Sequence, residues 1–254
     1  MNNVEQRPPP PYDIDSPEAT LEHAKLIQSR YFLRKIYENH YNFFKSETES
    51  LSEGIVLELG SGGGFLKKII PSAITSDVVR VPTLNLTLSA THLPFKDRTV
   101  AAIVMINVFH HVQDVGLFLK EAERVLIPGG KVVMVEPAHT LFSYLIYKNF
   151  HYEPFDPTQK EWALERGGRM SMANDALPWI VFRRDREKFT REYPALKIVE
   201  VREFLPFSYI LSGGVSMPQL LPNFLYPVVE WIERVISIFN GQLGLFMKIV
   251  VQKE

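Results

Sequence analysis

The chain has 254 residues, 46% of them hydrophobic, a formal net charge of -1 and no cysteine. That length supports one large core carrying insertions. The near-neutral balance supplies no field for phosphate backbones, so nucleic acid is not an expected partner. The lack of thiols excludes a disulfide framework, a thiolate metal site and a cysteine nucleophile, and suits a reducing compartment, with the cytoplasm as the expected location.

The chain opens without the basic and then apolar pattern of a signal peptide, and no apolar run reaches the roughly 18 to 20 residues that span a bilayer. Residues 1–15, with four consecutive prolines from Pro8 to Pro11, are predicted to be an extended, disordered lead. The remainder, 16–254, is expected to form one domain. Ser16, Pro17 and Glu18 read as a helix start, with a capping hydroxyl, a first-turn proline and a favourably placed acid. A helical segment within 16–53 should follow. Its aromatic residues Tyr31, Phe32, Tyr37, Tyr41, Phe43 and Phe44 either pack on the main domain or close over a ligand.

From Gly54 the pattern turns to short β-branched runs separated by glycine turns, the pattern of a parallel sheet with crossover helices. Strands are predicted at Ile55–Leu59, Ala73–Asp77, Leu84–Leu88, Val100–Asn107 and Lys131–Glu136. A helix over Asp114–Leu126, stopped by Pro128 and Gly129, joins the last two. Strands at Lys197–Phe204 and Leu245–Gln252 lie beyond insertions at 138–196 and 208–243. These insertions are expected to build a pocket over the carboxyl edge of the sheet.

The run VLELGSGGG, Val56 to Gly64, puts an acid at a strand end and glycines at 60, 62, 63 and 64, leading into Phe65. Such a turn lets a ligand approach the backbone and meet the free amides of a following helix. A dinucleotide fingerprint starting at Gly60 needs glycine where Phe65 stands, which disfavours a nicotinamide cofactor and an oxidoreductase reading. With Asp77, SATHLPF (Ser89 to Phe95), VMINVFHHV (Val104 to Val112) and RVLIPGGKVVMVEP (Arg124 to Pro137), the run resembles, in order and spacing, the core of class I S-adenosylmethionine (SAM) dependent methyltransferases of the type 11 kind.

The resemblance covers a SAM-binding core at 54–137. It implies a Rossmann-like α/β fold with a seven-stranded mixed sheet, its last strand antiparallel, and helical insertions after strands 5 and 6. It implies that Glu58 accepts hydrogen bonds from the methionine amine and that Gly60, Ser61, Gly62 and Gly64 form the turn beside the methionine. Asp77 would hold the ribose hydroxyls and Asn107 would line the floor near the sulfonium. Ser89 and Ala90 stand where the family carries an acid and alanine, so the adenine contact there is weaker or made by backbone. Read from the residues alone, a turn acid is the lesser alternative for Asp77.

A general base is needed only for some acceptors, and His110 and His111, at a strand end, are the first candidates. His139, His151, Glu153 and Asp156 follow. No cluster at recognisable metal-ligand spacing occurs, so no metal is expected. The apolar run from Leu225 to Phe239 reads as a helix that is mostly buried, or that covers an apolar small-molecule or lipid-linked acceptor, with peripheral membrane contact as one form of this. The alternative to an enzyme is a SAM-binding sensor or assembly protein without turnover. The oligomeric state is not legible.

Overall fold

The computed structural model describes residues 13–254 apart from 166, 169 and 170, so most of the proline-rich lead lies outside the described residues. The two N-terminal helices are α1 (Pro17–Ser29) and α2 (Tyr31–Thr48). Ser16 caps α1 as its sequence predicts, its side chain accepting from the Ala19 amide at 3.2 Å. The aromatic stripe of α2 packs inward, with Phe32, Tyr41 and Phe44 almost wholly buried.

Seven strands follow, β1 (Ile55–Glu58), β2 (Ile74–Asp77), β3 (Leu86–Thr87), β4 (Val100–Ile106), β5 (Leu126–Pro137), β6 (Leu196–Phe204) and β7 (Phe246–Lys253). They form one sheet in the order β3-β2-β1-β4-β5-β7-β6, with β7 antiparallel to both β5 and β6. The fold class implied by the sequence motifs is therefore the observed one. Strand order reverses between β1 and β4, which places a crevice where those two carboxyl ends diverge. Glu58 and Asn107 stand on either side of it.

Three local expectations need correction. The glycine turn does not feed a long helix: a single 3-10 turn, Leu66–Lys68, is all that follows before β2, so no extended helix dipole faces the crevice. Helix α3 (Val115–Val125) passes directly into β5 at Leu126, with Pro128 and Gly129 inside the strand rather than ending the helix. Gly129 takes a left-handed φ of 78° there, next to a register irregularity between β4 and β5. Finally, β2 and β3 pair in parallel across a connection of only residues 78–85, and β3 shrinks to two residues. The short connection leaves room for little more, since parallel strands usually need a crossover of about a dozen residues.

The first insertion holds α4 (Leu141–Phe150), a long irregular stretch, the short helix α5 (Leu177–Trp179) continuing into a π-turn over Ile180–Arg184, and α6 (Arg186–Glu192). The second holds α7 (Phe207–Ser212), α8 (Tyr226–Ile236) and α9 (Asn240–Leu243). Of the two readings its sequence allows, α8 is not the mostly buried helix. It buries Tyr226 and Val229 but turns Val228, Trp231 and Val235 to solvent. No described helix is long and apolar enough to cross a membrane.

Candidate active site

The glycine turn is fixed by its neighbours. Gly60 has φ 60°, and a Cβ there would sit 2.4 Å from a Val108 methyl, so the residue after Asn107 presses on bare backbone. Gly62 has φ 49° and open space where a side chain would go, because it faces the cavity. A Cβ on Gly64 would lie 2.1 Å from the Tyr41 hydroxyl, which itself accepts from the Phe65 amide at 3.1 Å. The N-terminal helices are thus packed onto the turn. Ser61 ties it to β2, its amide donating to the Ser76 carbonyl at 2.8 Å and its hydroxyl accepting from the Ser76 amide at 3.1 Å.

Asp77 sits as the turn acid its sequence allows, and it also reaches the cavity. Its carboxylate accepts from the Val79 amide as a turn acid and from the Gly62 amide at 3.2 Å, while it also lines the cavity. Ser89 and Ala90 line the same cavity, with the Ser89 hydroxyl 2.9 Å from that of Thr91. Asn107 adopts a left-handed φ of 53°, a conformation asparagine tolerates better than most residues.

Two acceptor atoms in this crevice, Glu58 Oε2 and Asn107 Oδ1, are buried without a hydrogen-bond partner. Burial pushes the Glu58 carboxyl up to about 7, against the opposing pull of the Ser61 and Tyr41 hydroxyls. A buried unmade hydrogen bond costs about 1 to 3 kcal/mol. Two of them lining one crevice at a sheet switch point mark where a donor-bearing ligand belongs.

The second half of the site is built on a 3-10 turn, Phe109–His111, that follows β4. Glu136, fully buried at the end of β5, organises it. One carboxylate oxygen accepts from the Val108 and Phe109 amides, both at 2.8 Å, and the other lies 2.7 Å from His110 Nδ1. His110 Nε2 then points at Glu153 Oε2, 3.3 Å away, and Asp175 Oδ1, 3.5 Å away. His111 Nδ1 is held by the Met172 carbonyl at 3.0 Å, and its Nε2 lies 3.7 Å from Glu153 Oε2. His151 Nδ1 is 3.1 Å from Asp175 Oδ2.

These contacts separate the two candidate bases. Burial lowers both imidazoles, but Glu136, Glu153 and Asp175 outweigh it at His110 and hold that ring protonated well above the ordinary histidine range. At His111, burial and the neighbouring charge on His110 prevail, lowering it to about 4 and keeping its lone pair free. Of the secondary candidates, His151 and Glu153 join the cluster. His139 instead packs on Trp179, with ring centroids 4.3 Å apart, and Asp156 caps a loop at Thr158.

Sequence reasoning missed Glu136 and Asp175. The signal for Glu136 was present, an acid at the carboxyl end of a central strand in the same position as Glu58. Asp175 lies in the irregular part of an insertion, where no pattern announces a site.

Both halves open into one cavity of about 620 Å³. Its remaining wall is largely apolar and comes from the insertions, including Ile146, Tyr147, Phe150, Tyr209, Ile210 and Met217. α1 and α2 contribute Ile27, Leu33 and Tyr37, so the N-terminal helices both pack on the domain and border the cavity. Among the described residues, α8 supplies no lining residue.

A family model described as a methyltransferase domain matches residues 57–134. That segment contains the end of β1, the whole of β2, β3 and β4, most of β5 and the glycine turn. Over these residues the chain matches the methyltransferase domain family, and its sheet has the class I methyltransferase fold. A demethylmenaquinone methyltransferase of Streptomyces avermitilis is 39% identical over 77 residues, covering 28% of this chain and 33% of that one, so the match spans about a third of the relative's length. The methyltransferase fold extends much further than this.

A solved SAM-dependent methyltransferase of Thermotoga maritima, described as a possible histamine N-methyltransferase, aligns over 93% of this chain and 99% of its own, with TM-score 0.53 and 17% identity. Geranyl diphosphate C-methyltransferase of Streptomyces coelicolor, solved with Mg2+, geranyl diphosphate and S-adenosyl-L-homocysteine, aligns over 96% and 85%, with TM-score 0.52 and 12% identity.

Proposed function

We propose that the protein transfers a methyl group from SAM to a small-molecule acceptor of apolar character. The observation that carries this reading is the pair of buried, unpartnered acceptors, Glu58 Oε2 and Asn107 Oδ1, beside the open face of Gly62. These residues suit a ligand that brings an ammonium group and a chain thin enough to pass bare backbone. Glu58 would receive the amine, the 60–64 turn would flank the methionine part, Asp77 would hold ribose hydroxyls and Ser89 and Ala90 would border the base. SAM, when bound, supplies an electrophilic methyl on a sulfonium, so the protein's work is to align the acceptor and exclude water.

The acceptor reading rests on the insertion-built wall, which is largely apolar and is interrupted most strongly by the histidine and carboxylate cluster. A named relative acting on demethylmenaquinone and a fold neighbour holding geranyl diphosphate agree with small-molecule methylation. His111 is the residue whose lone pair faces the acceptor. His110 is oriented by Glu136, 2.7 Å from its Nδ1, and stands beside it as a positioning group.

Calorimetric titration with SAM, followed by assay of S-adenosyl-L-homocysteine release across a panel of apolar hydroxyl, amine and ring-carbon acceptors, tests the proposal. Binding with release in the presence of one acceptor class supports it. Binding with no release across the panel instead favours a SAM-binding sensor, and no binding removes both.

A further inference from the structure

The acceptor side of the cavity gathers three imidazoles and three acidic side chains from segments far apart in the chain. His110 and His111 follow β4, Glu136 ends β5, and His151, Glu153 and Asp175 come from the first insertion. We infer that this cluster is a binding site for one divalent transition-metal cation, with His110 Nε2, His111 Nε2 and Glu153 Oε2 as ligands and Asp175 as the adjoining carboxylate.

The geometry points there first. A cation bound tetrahedrally at about 2.0 to 2.1 Å holds its donor atoms about 3.3 Å apart. Glu153 Oε2 lies 3.3 Å from His110 Nε2 and 3.7 Å from His111 Nε2, and Asp175 Oδ1 is 3.5 Å from His110 Nε2. The three proposed ligand atoms all lie within 4.8 Å of one another.

The orientation of the rings is the second observation. Each imidazole has its Nδ1 occupied by an oxygen acceptor, Glu136 for His110 and the Met172 carbonyl for His111, so each presents Nε2 to the same point. Metal-binding histidines are fixed in this way, the outer acceptor setting tautomer and ring plane and raising ligand basicity.

The third is Asp175. It is 1% exposed, its neighbours are the imidazoles of His151, 3.1 Å away, and His110, 3.5 Å away, and neither oxygen meets a donor in full hydrogen-bond geometry. A buried carboxylate so weakly paired favours a cation beside it. A divalent ion at this point would take the Nε2 lone pairs of both rings, releasing to solvent any proton carried there, and balance the acids together. Nitrogen and oxygen donors of this kind suit Zn2+, Co2+, Mn2+ or Fe2+ rather than a soft ion. The cluster lies on the cavity wall, so a bound cation would offer its open positions to an acceptor oxygen.

The inference does not depend on SAM binding, and its test is separate. The full chain is stripped with chelator, dialysed and titrated with Co2+, reading the visible d–d absorption, and with Zn2+ by calorimetry. One ion per chain, with the absorption of four- or five-coordinate cobalt and a higher melting temperature, is the expected result. Glu153→Gln and His111→Gln should abolish that binding, and Glu136→Gln, which reorients His110 without touching the ion, should weaken it about 10- to 100-fold. Circular dichroism and a cooperative melting transition of the same variants show whether they remain folded. The faint spectrum of hydrated cobalt in the wild type, or unchanged affinity in folded Glu153→Gln and His111→Gln proteins, overturns the assignment.

Discussion

The two halves of the cavity are built on opposite principles. The crevice at the switch point is made by one short stretch, Glu58 to Gly64, closed by Asp77 and Asn107 from neighbouring strands, and its side chains hang on hydrogen-bonded sheet backbone. The opposite half is assembled from residues 110, 111, 136, 151, 153 and 175, and only Glu136 sits on a strand. What differs is the source of the precision. In the first half the backbone supplies it, through two left-handed glycines and the close approach of Val108. In the second, side chains position one another around Glu136. A ligand held by backbone can be common to many chains, whereas a pocket made by inserted side chains is free to vary with its acceptor.

The largest effect should come from breaking the backbone half. Gly62→Arg forces a side chain onto a φ of 49°, at roughly 1 to 2 kcal/mol of strain, and projects it into the cavity. The expected outcome is a loss of SAM affinity of at least about 100-fold, or about 2.7 kcal/mol. Metal titration should be unaffected, because the altered position lies in the other half. Loss of both in a folded protein would show that the two halves are not independent.

That contrast also explains what was legible in the sequence. A strand end followed by closely spaced glycines leaves a local pattern, so Glu58, Gly60 and Gly62 were found directly and now line the crevice. The strands were found because their alternation with amphipathic segments follows from burial on both faces of a parallel sheet. Asp175 could not be found, since its partners are set by the path of an irregular loop, through bonds such as the Asn174 amide to the His110 carbonyl. The α8 helix misled for a related reason. Its apolar periodicity records a face of low polarity, and a pattern of that kind does not state which side of the molecule the face meets.

A smaller effect follows from Glu58. Its carboxyl is raised to about 7 in the fold against an ordinary value of 4.5. The native state therefore keeps a proton that the unfolded chain releases, so this group favours folding at low pH and that contribution is lost as pH rises from about 4.5 through 7. A bound ammonium reverses the preference and favours the carboxylate. SAM affinity should rise up to tenfold per pH unit below about 7 and level off above it, with proton release seen by calorimetry in buffers of different ionisation enthalpy. Glu58→Gln should flatten this dependence and weaken binding about 10- to 100-fold at pH 8, the loss of a charged hydrogen bond. A flat profile in the wild type would place the amine elsewhere.

The acceptor cap offers a gentler test. The buried Tyr147 hydroxyl donates to the Leu245 carbonyl at 2.7 Å, tying α4 to the start of β7. Tyr147→Phe should cost about 1 kcal/mol, as that carbonyl keeps its bond from the Ala138 amide. For a chain of this size the melting temperature should fall about 2 to 4 °C. The change should alter acceptor turnover more than SAM affinity, because Tyr147 borders the insertion-built half.

The smallest effect is expected on α8, where it decides how the second insertion is used. Trp231 is 62% exposed, beside Val228 and Val235, on a face that contributes nothing to the cavity among the described residues. Trp231→Gln should therefore change stability by less than about 0.5 kcal/mol, as substitutions at free surface positions do. SAM binding should be unchanged, while solubility should improve as an apolar patch is broken. A destabilisation above about 2 kcal/mol would mean that this face is covered in solution, since exposed side chains have no burial to lose. The melting temperature would then depend on protein concentration if the cover is a second copy of the chain. With no such dependence, the cover would have to come from within the chain, and α8 would count with the core of the cap.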